Sequence, residues 1–242
     1  MSPTSSHRIL DAYHLLLRRF GSQGWWPLAG PDRTGRAEKK PLHVPKHHNG
    51  PPLSDEDMLE IMVGAILTQN TSWTNVEKAI LNLHKKHLLS FRALDKVNQE
   101  KLAGFIRSAG YFNQKAMKIK ELCNALKRVQ FNELKGASLN DAREFLLSVK
   151  GIGPETADSI VLYALEKPAF VVDAYTRRVF VRLGIISGSE SYDEIRSLFE
   201  KSLPAGISLF KEYHALIVRL GKDVCRKNPK CHLCPLESCS LC

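Results

Sequence analysis

At 242 residues the chain can form one large domain or two small ones, and its 43% hydrophobic content is ample for a core. Lys and Arg outnumber Asp and Glu by 35 to 25, a net charge of +10 that favours an anionic partner and says nothing about fold. No apolar run approaches the ~20 residues that span a bilayer, and residues 1–7 lack the basic start and apolar stretch of a secretion signal, so no membrane and a reducing cytoplasmic location are expected.

Helical periodicity dominates from the start. Residues 8–20 predict a first helix, with Ile9, Tyr13, Leu16, Leu17 and Phe20 on one stripe. Gly24-Trp25-Trp26-Pro27 follows, and then residues 30–52, rich in Pro, Gly, Lys and His, which read as a solvated loop or linker. His43, His47 and His48 lie there with no cysteine or carboxylate pattern beside them, so a flexible basic loop is expected rather than a metal site. Ser54-Asp-Glu-Asp57 is a helix start, a capping hydroxyl with acids at the positive end of the dipole. Residues 58–67 are nearly all apolar, which predicts a helix buried on most sides.

Trp73, Val76, Ile80 and Leu83 line the next helix. Leu102, Phe105, Ile106 and Ala109 mark another, stopped by Gly110. Residues 113–128 resume with Ala116, Ile119, Leu122 and Leu126 inward, and Cys123 reads as a small core residue. Ser138 with Asp141 predicts a capping box for a helix through Leu147, and residues 156–165 form its partner beyond a Gly-Ile-Gly turn. Helices over 174–183, 192–202 and 208–222 complete an all-α chain without internal repeats.

Three features carry chemistry. In Val149-Lys-Gly-Ile-Gly-Pro-Glu-Thr-Ala-Asp158, Gly151 and Gly153 permit a tight turn and Ile152 can plug the core beneath it. Amides exposed at a helix start form an anion site that positions phosphates without reading bases. Asp173 stands where the apolar run from Phe170 meets a new helix, as a capping residue, a reactive carboxylate, or both. Five of the six cysteines crowd between Cys225 and Cys242, which points to a metal or cluster rather than a disulfide framework. Thiolate-only ligation suits an iron–sulfur cluster or tetrahedral zinc.

Together these residues resemble the helix-hairpin-helix (HhH-GPD) DNA glycosylase superfamily, endonuclease III-like, over roughly residues 54–239. Three further segments sharpen the likeness. Leu67-Thr-Gln-Asn-Thr71 is similar to the segment whose glutamine, here Gln69, fills the gap left by a flipped nucleotide. Gly110-Tyr-Phe-Asn-Gln-Lys-Ala116 resembles the segment bearing an intercalating wedge, here Tyr111. Val171-Val-Asp-Ala174 matches the motif of the catalytic aspartate, Asp173. The resemblance implies two helical lobes with a cleft between them: residues 54–167 as a six-helix barrel lobe with the hairpin, residues 168–242 as the cluster lobe, and residues 1–53 as a helix and basic loop packing with the latter.

Two departures narrow the branch. Bifunctional members carry a lysine two residues after the second hairpin glycine, and this chain has Glu155, which cannot form an imine with an abasic sugar. Lys150 precedes the turn and is expected to point elsewhere. The glutamate of the adenine glycosylase branch falls at Gly64. Trp25-Trp26-Pro27 and Trp73 are instead similar to the 3-methyladenine glycosylase branch, in which two aromatics sandwich the extruded base, here Trp25 and Trp73. Indole faces select a cationic N-alkylated purine, an attraction worth about 1–2 kcal/mol when desolvated.

Cys225-x5-Cys231-x2-Cys234-x4-Cys239 resembles the four-cysteine [4Fe–4S] signature, with zinc the alternative and Cys242 able to replace Cys239. Arg226, Lys227 and Lys230 in its first loop would hold phosphates or remain solvated surface charge. The expected function is a monofunctional, hydrolytic DNA glycosylase for alkylated purines in duplex DNA, acting as a monomer in base excision repair in a bacterial or archaeal nucleoid. The alternatives are a bifunctional glycosylase/lyase for oxidised pyrimidines and a non-catalytic DNA-binding module.

Overall fold

The structure, a computed structural model, describes residues 5–29, 46–47 and 54–236, so the features expected at His43, His48, Cys239 and Cys242 lie outside the described residues. Among these it forms twelve α-helices, and strand pairing is confined to a two-residue antiparallel contact of β1 (Pro27–Leu28) with β2 (Lys46–His47). The chain is therefore all-α, as its periodicity implies. It divides into two compact units, Trp26–Glu166 and the pair of segments Met1–Trp25 with Lys167–Cys242.

The Trp26–Glu166 unit is organised around α2 (Asp55–Leu67). Ser54 Oγ accepts from Asp57 N at 3.2 Å, and the Asp57 carboxylate accepts from Ser54 N at 3.1 Å, so two orphan amides at the helix start are satisfied reciprocally. Residues 57–67 are all buried, because an apolar run without a polar face can be accommodated only by neighbours on every side. Those neighbours are α3 (Trp73–Lys85), α6 (Phe112–Leu126) and α9 (Pro154–Tyr163). Truncating fully buried Leu59 or Ile66 to alanine there would cost about 2–5 kcal/mol. Short helices α4 (Phe91–Lys96) and α5 (Gln99–Phe105) pack on α6, α7 (Phe131–Gly136) follows, and α8 (Leu139–Leu147) pairs with α9 across the glycine turn. At α8 the box differs from the expected form: Ser138 Oγ accepts from Asp141 N at 3.1 Å, while the Asp141 carboxylate accepts from the Ser138 hydroxyl rather than its amide.

In the other unit α1 (Ser5–Phe20) packs on α11 (Tyr192–Ser202) and α12 (Ile207–Asp223), and α12 also packs on α10 (Ala174–Arg182). The core is aromatic. Phe170 and Phe199 stack at 4.3 Å, Phe180 meets Phe199 edge-on at 4.7 Å, and buried Tyr213 turns its hydroxyl to donate to Ile9 O at 2.6 Å. Gly221 lets α10 and α12 touch, since a Cβ there would lie 2.8 Å from Tyr175 Cβ. That contact sets the register between the two helices that carry the polar residues of this unit.

Candidate active site

Asp173 is the N-cap of α10 in extended backbone, and is 9% exposed. Its Oδ1 accepts from Thr176 N at 2.7 Å and from Thr176 Oγ1 at 2.9 Å, which anchors the carboxylate to the helix start. Its Oδ2 is turned toward His214 Nε2 of α12, 3.7 Å away, a separation for charge attraction rather than a hydrogen bond. Burial is the largest influence on the Asp173 carboxyl and pushes it up, but His214 and the two Thr176 donors together outweigh it and hold the group below the ordinary aspartate value. A buried carboxylate kept ionised, with one oxygen fixed by the cap and the other outside it, can stabilise a developing cation or polarise a water.

Helix α12 also holds the segment that precedes the first tryptophan. Glu212 accepts from Gln23 N at 2.6 Å and from Gly24 N at 3.4 Å, pinning the segment that leads into half-buried Trp25. Asp173, His214 and the Trp25 segment are thus tied to one helix within one unit. Sequence reasoning did not single out His214. Its signal is faint: an ionisable residue on the inward stripe of Phe210, Tyr213 and Ile217, where burial must be matched by a partner.

The positions predicted to contact DNA, together with Trp26 and Trp73, lie in the Trp26–Glu166 unit. Gly151 has φ +91° and its missing Cβ would fall 2.6 Å from Lys118 Cγ, so only glycine fits. Ile152 is buried beneath the turn, and Gly153 caps α9 ahead of Pro154, leaving the first α9 amides for an anion. Gln69, just past α2, donates from Nε2 to Thr156 Oγ1 at 2.9 Å and to Gly151 O at 3.4 Å, while its Oε1 accepts from Lys118 Nζ at 2.5 Å. Gln69 and the hairpin are therefore brought together.

Tyr111 is 66% exposed, in left-handed backbone at φ 44°, and follows Gly110 at φ 66°. An aromatic ring this exposed at a strained helix start gains nothing from the core, which suits a residue waiting for a partner. Buried Lys115 donates to Leu67 O at 2.8 Å and Ala109 O at 2.7 Å. Burial, and then the charge of Lys118, lower its ammonium to about 8. Cys123 is fully buried, and burial pushes its thiol up to about 11, as expected of a core residue.

Trp26 is 7% exposed, edge-on to Trp73 at 5.5 Å and 89° and tilted on Tyr163 at 5.3 Å. It lies directly on Gly64, where a Cβ would come within 2.7 Å of its Cζ2. Glu60, one turn earlier on α2, accepts from Ala29 N at 2.6 Å and holds the same segment down. The Gly64 position, which reads from sequence only as a missing glutamate, is thus occupied by an indole. Half-buried Trp73 forms the outer member of this aromatic group. Glu155 is exposed in the first turn of α9 and Lys150 is exposed before the turn.

Cys225, Cys231 and Cys234 are described. Cys234 N donates to Cys231 O at 2.9 Å across a 3-10 turn over Cys231–Leu233, the compact turn that a C-x2-C thiol pair uses. Arg182 donates to Cys225 Sγ at 3.2 Å and to Arg226 O at 2.7 Å, and Arg178 donates to Gly221 O and Cys225 O at 2.8 and 2.9 Å. A guanidinium on sulfur suits a thiolate, so the donor chemistry fits a thiolate-bound metal, although no three candidate ligands converge among the described residues. Arg226, Lys227 and Lys230 are exposed.

Comparison with known proteins places this geometry in context. Residues 63–205 match the model of the HhH-GPD superfamily of base excision DNA repair proteins. A Methanocaldococcus jannaschii protein, MJ1434, whose name provisionally places it among DNA repair glycosylases, is 40% identical over 245 residues, covering 100% of this chain and 99% of the relative. The H. pylori 3-methyladenine DNA glycosylase MagIII, solved bound to 1,N6-ethenoadenine, superposes with TM-score 0.68 at 29% identity over 91% of this chain and 98% of that one. A trapped covalent endonuclease III–DNA intermediate superposes with TM-score 0.73 at 22% identity over 97% of this chain and 95% of that one, a likeness of fold. By the matched family model and the full-length relative alike, the chain belongs to the HhH-GPD superfamily of base excision DNA repair proteins.

Proposed function

We propose that the protein is a monofunctional DNA glycosylase that flips alkylated purines of the 3-methyladenine type out of duplex DNA and hydrolyses the N-glycosidic bond, leaving an abasic site. The observation that carries this reading is the Asp173 carboxylate, buried, held ionised, and presenting an oxygen that the helix cap does not use. As the base departs, positive charge grows on the sugar, and a fixed carboxylate stabilises that charge without reorganising. His214 keeps the carboxylate ionised in its buried setting and, with it, polarises the attacking water. Glu155 occupies the position from which an amine would attack the sugar, so water is the nucleophile and no imine forms.

Base recognition falls to Trp25 and Trp73, with Trp26 as packed support on Gly64. Alkylation at a ring nitrogen puts positive charge on the purine and weakens its glycosidic bond, and electron-rich indoles favour such a base. The hairpin amides and the net charge of +10 would hold the phosphates of duplex DNA, with Gln69 filling the vacated stack and Tyr111 wedging it open. Cys225, Cys231, Cys234 and Cys239 would hold a [4Fe–4S] cluster, whose contribution is to tie the basic 225–234 loop into one piece, with the Arg178 and Arg182 clamps shaping that loop from α10. The enzyme is expected to act as a monomer.

The Asp173–His214 pair also favours a second reading. Water activation is most needed for a neutral base whose glycosidic bond no charge has weakened, such as a deaminated one. The deciding experiment is base release from a panel of duplexes carrying alkylated, oxidised and deaminated bases. Release of 3-methyladenine supports the first reading, release of a deaminated base alone supports the second, and release of none refutes both.

A further inference from the structure

One helix, α6, contacts all three elements that the proposed function assigns to invading and holding DNA. Lys115 projects inward from it. Its side chain is buried, and its ammonium donates to two carbonyls, Leu67 O at the last residue of α2 and Ala109 O at the end of the 3-10 turn Arg107–Ala109. Each carbonyl lies two residues before an invading side chain, Gln69 in one case and Tyr111 in the other. Helix C-termini leave carbonyls unsatisfied and carry the negative end of the dipole. A compact ammonium with three donors can serve two such ends at once, where an apolar side chain would leave both orphaned.

Lys118, three residues on and so on the same side of the helix, makes the outer half of the arrangement. Its aliphatic stem lies on Gly151, in space that a Cβ there would fill, and its ammonium donates to Gln69 Oε1. With Gln69 Nε2 donating to Thr156 and to Gly151 O, both ends of the glutamine amide are committed, one to α6 and one to the hairpin. Sequence spacing assigns these lysines no task, since each reads as an ordinary charge on an amphipathic helix.

We propose that Lys115 and Lys118 are positioning residues that join the gap-filling glutamine, the tyrosine wedge and the phosphate-binding hairpin into one preset device before DNA arrives. Lys115 fixes the two chain segments from below, and Lys118 sets the rotamer and amide orientation of Gln69 from above. The insertion step then proceeds without a separate ordering of each side chain. The inference rests on the roles given to Gln69 and Tyr111 above.

The test uses the full-length protein and a duplex carrying a tetrahydrofuran abasic analogue opposite 2-aminopurine, whose fluorescence rises when the stack is invaded. This readout requires neither excision nor knowledge of the lesion. Lys118→Met is expected to slow the fluorescence rise about tenfold or more, a modest part of the roughly 100-fold that a 1 Å misplacement can cost, with a melting temperature close to wild type. Lys115→Met should slow it at least as much, but it removes a buried group and lowers stability.

The coupling measurement therefore keeps that arm decisive. In the wild type Gln69→Ala and Tyr111→Ala should be non-additive, and in the Lys115→Met and Lys118→Met backgrounds the two should become additive. Persistent non-additivity in the Lys115→Met background would overturn the role of Lys115. Unchanged insertion kinetics in Lys118→Met would overturn the proposal. So would a loss confined to affinity for undamaged duplex with a reduced salt slope, which would make Lys118 a phosphate contact only. If Gln69→Ala and Tyr111→Ala themselves leave insertion unaffected, the assignment of those two side chains fails instead.

Discussion

Asp173→Asn isolates the charge from the architecture. Asparagine caps helices about as well as aspartate, and its side-chain oxygen can still accept from Thr176 N and Thr176 Oγ1, which now lie 2.7 and 2.9 Å from Oδ1. The stability lost is the attraction of a negative charge to the helix start, about 0.3–1 kcal/mol, together with its attraction to His214, set against relief of the charge's desolvation. The melting temperature should therefore fall by only about 2–4 °C. The catalytic loss is larger, because a neutral amide no longer opposes the cation forming at the sugar. Removing one such stabiliser costs about 3–4 kcal/mol, or about 10²–10³ in rate.

Single-turnover base release and thermal unfolding on the same preparation measure both effects. The sign of the pH dependence gives a further check. The carboxyl is held below its ordinary value in the folded protein. Its contribution to stability is therefore complete above the unfolded aspartate value of about 3.9 and is lost as pH falls through the lower folded value. The melting difference between wild type and Asp173→Asn should disappear over that window. Activity of the variant within threefold of wild type would refute the role given to Asp173, and a collapse of the fold would refute the claim that the cap survives.

Other perturbations address separate parts of the site. Gly64→Ala places a methyl 2.7 Å from Trp26 Cζ2 and should destabilise by about 1–3 kcal/mol, read by chemical denaturation. An unchanged midpoint would show that Trp26 is free to move. Gly151→Ala demands φ +91° of a residue with a side chain and meets the Lys118 stem, so duplex affinity should fall severalfold for damaged and undamaged DNA alike. Lesion-selective loss would contradict a phosphate role for the turn. Borohydride should trap no covalent adduct between the wild-type protein and abasic DNA, and a trapped adduct would reveal an amine acting in place of the one absent at Glu155. His214→Asn should reduce excision more at neutral pH than it reduces duplex affinity, as measured by separating turnover from binding, and a purely affinity-based loss would remove the histidine from the chemistry.

The helical class and most helix positions were legible in the sequence because they depend on near-neighbour periodicity and caps. The run 58–67 could be accommodated only as a buried helix, and Ser54 with Asp57 marked its start. The turn at Gly151–Gly153 was legible for the same reason, since positive φ and a helix start are local demands. Asp173 could be read as a cap or as an acid, and the local signal does not separate the two roles, which coincide in one side chain. What no local pattern contains is partnership across distant segments. His214 meets Asp173 forty-one residues away, and Lys115 gathers the ends of α2 and of the turn at 107–109. Trp26 fills the space above Gly64, which in sequence is only an absent carboxylate. Burial is what gives these pairings their consequence, because ionised and hydrogen-bonding groups removed from water must find partners wherever the folded chain places them. Composition and periodicity thus determined that this chain would be a basic helical protein with a glycine turn at a helix start, and tertiary packing alone decided which charges face one another and so what holds the Asp173 carboxyl below its ordinary value.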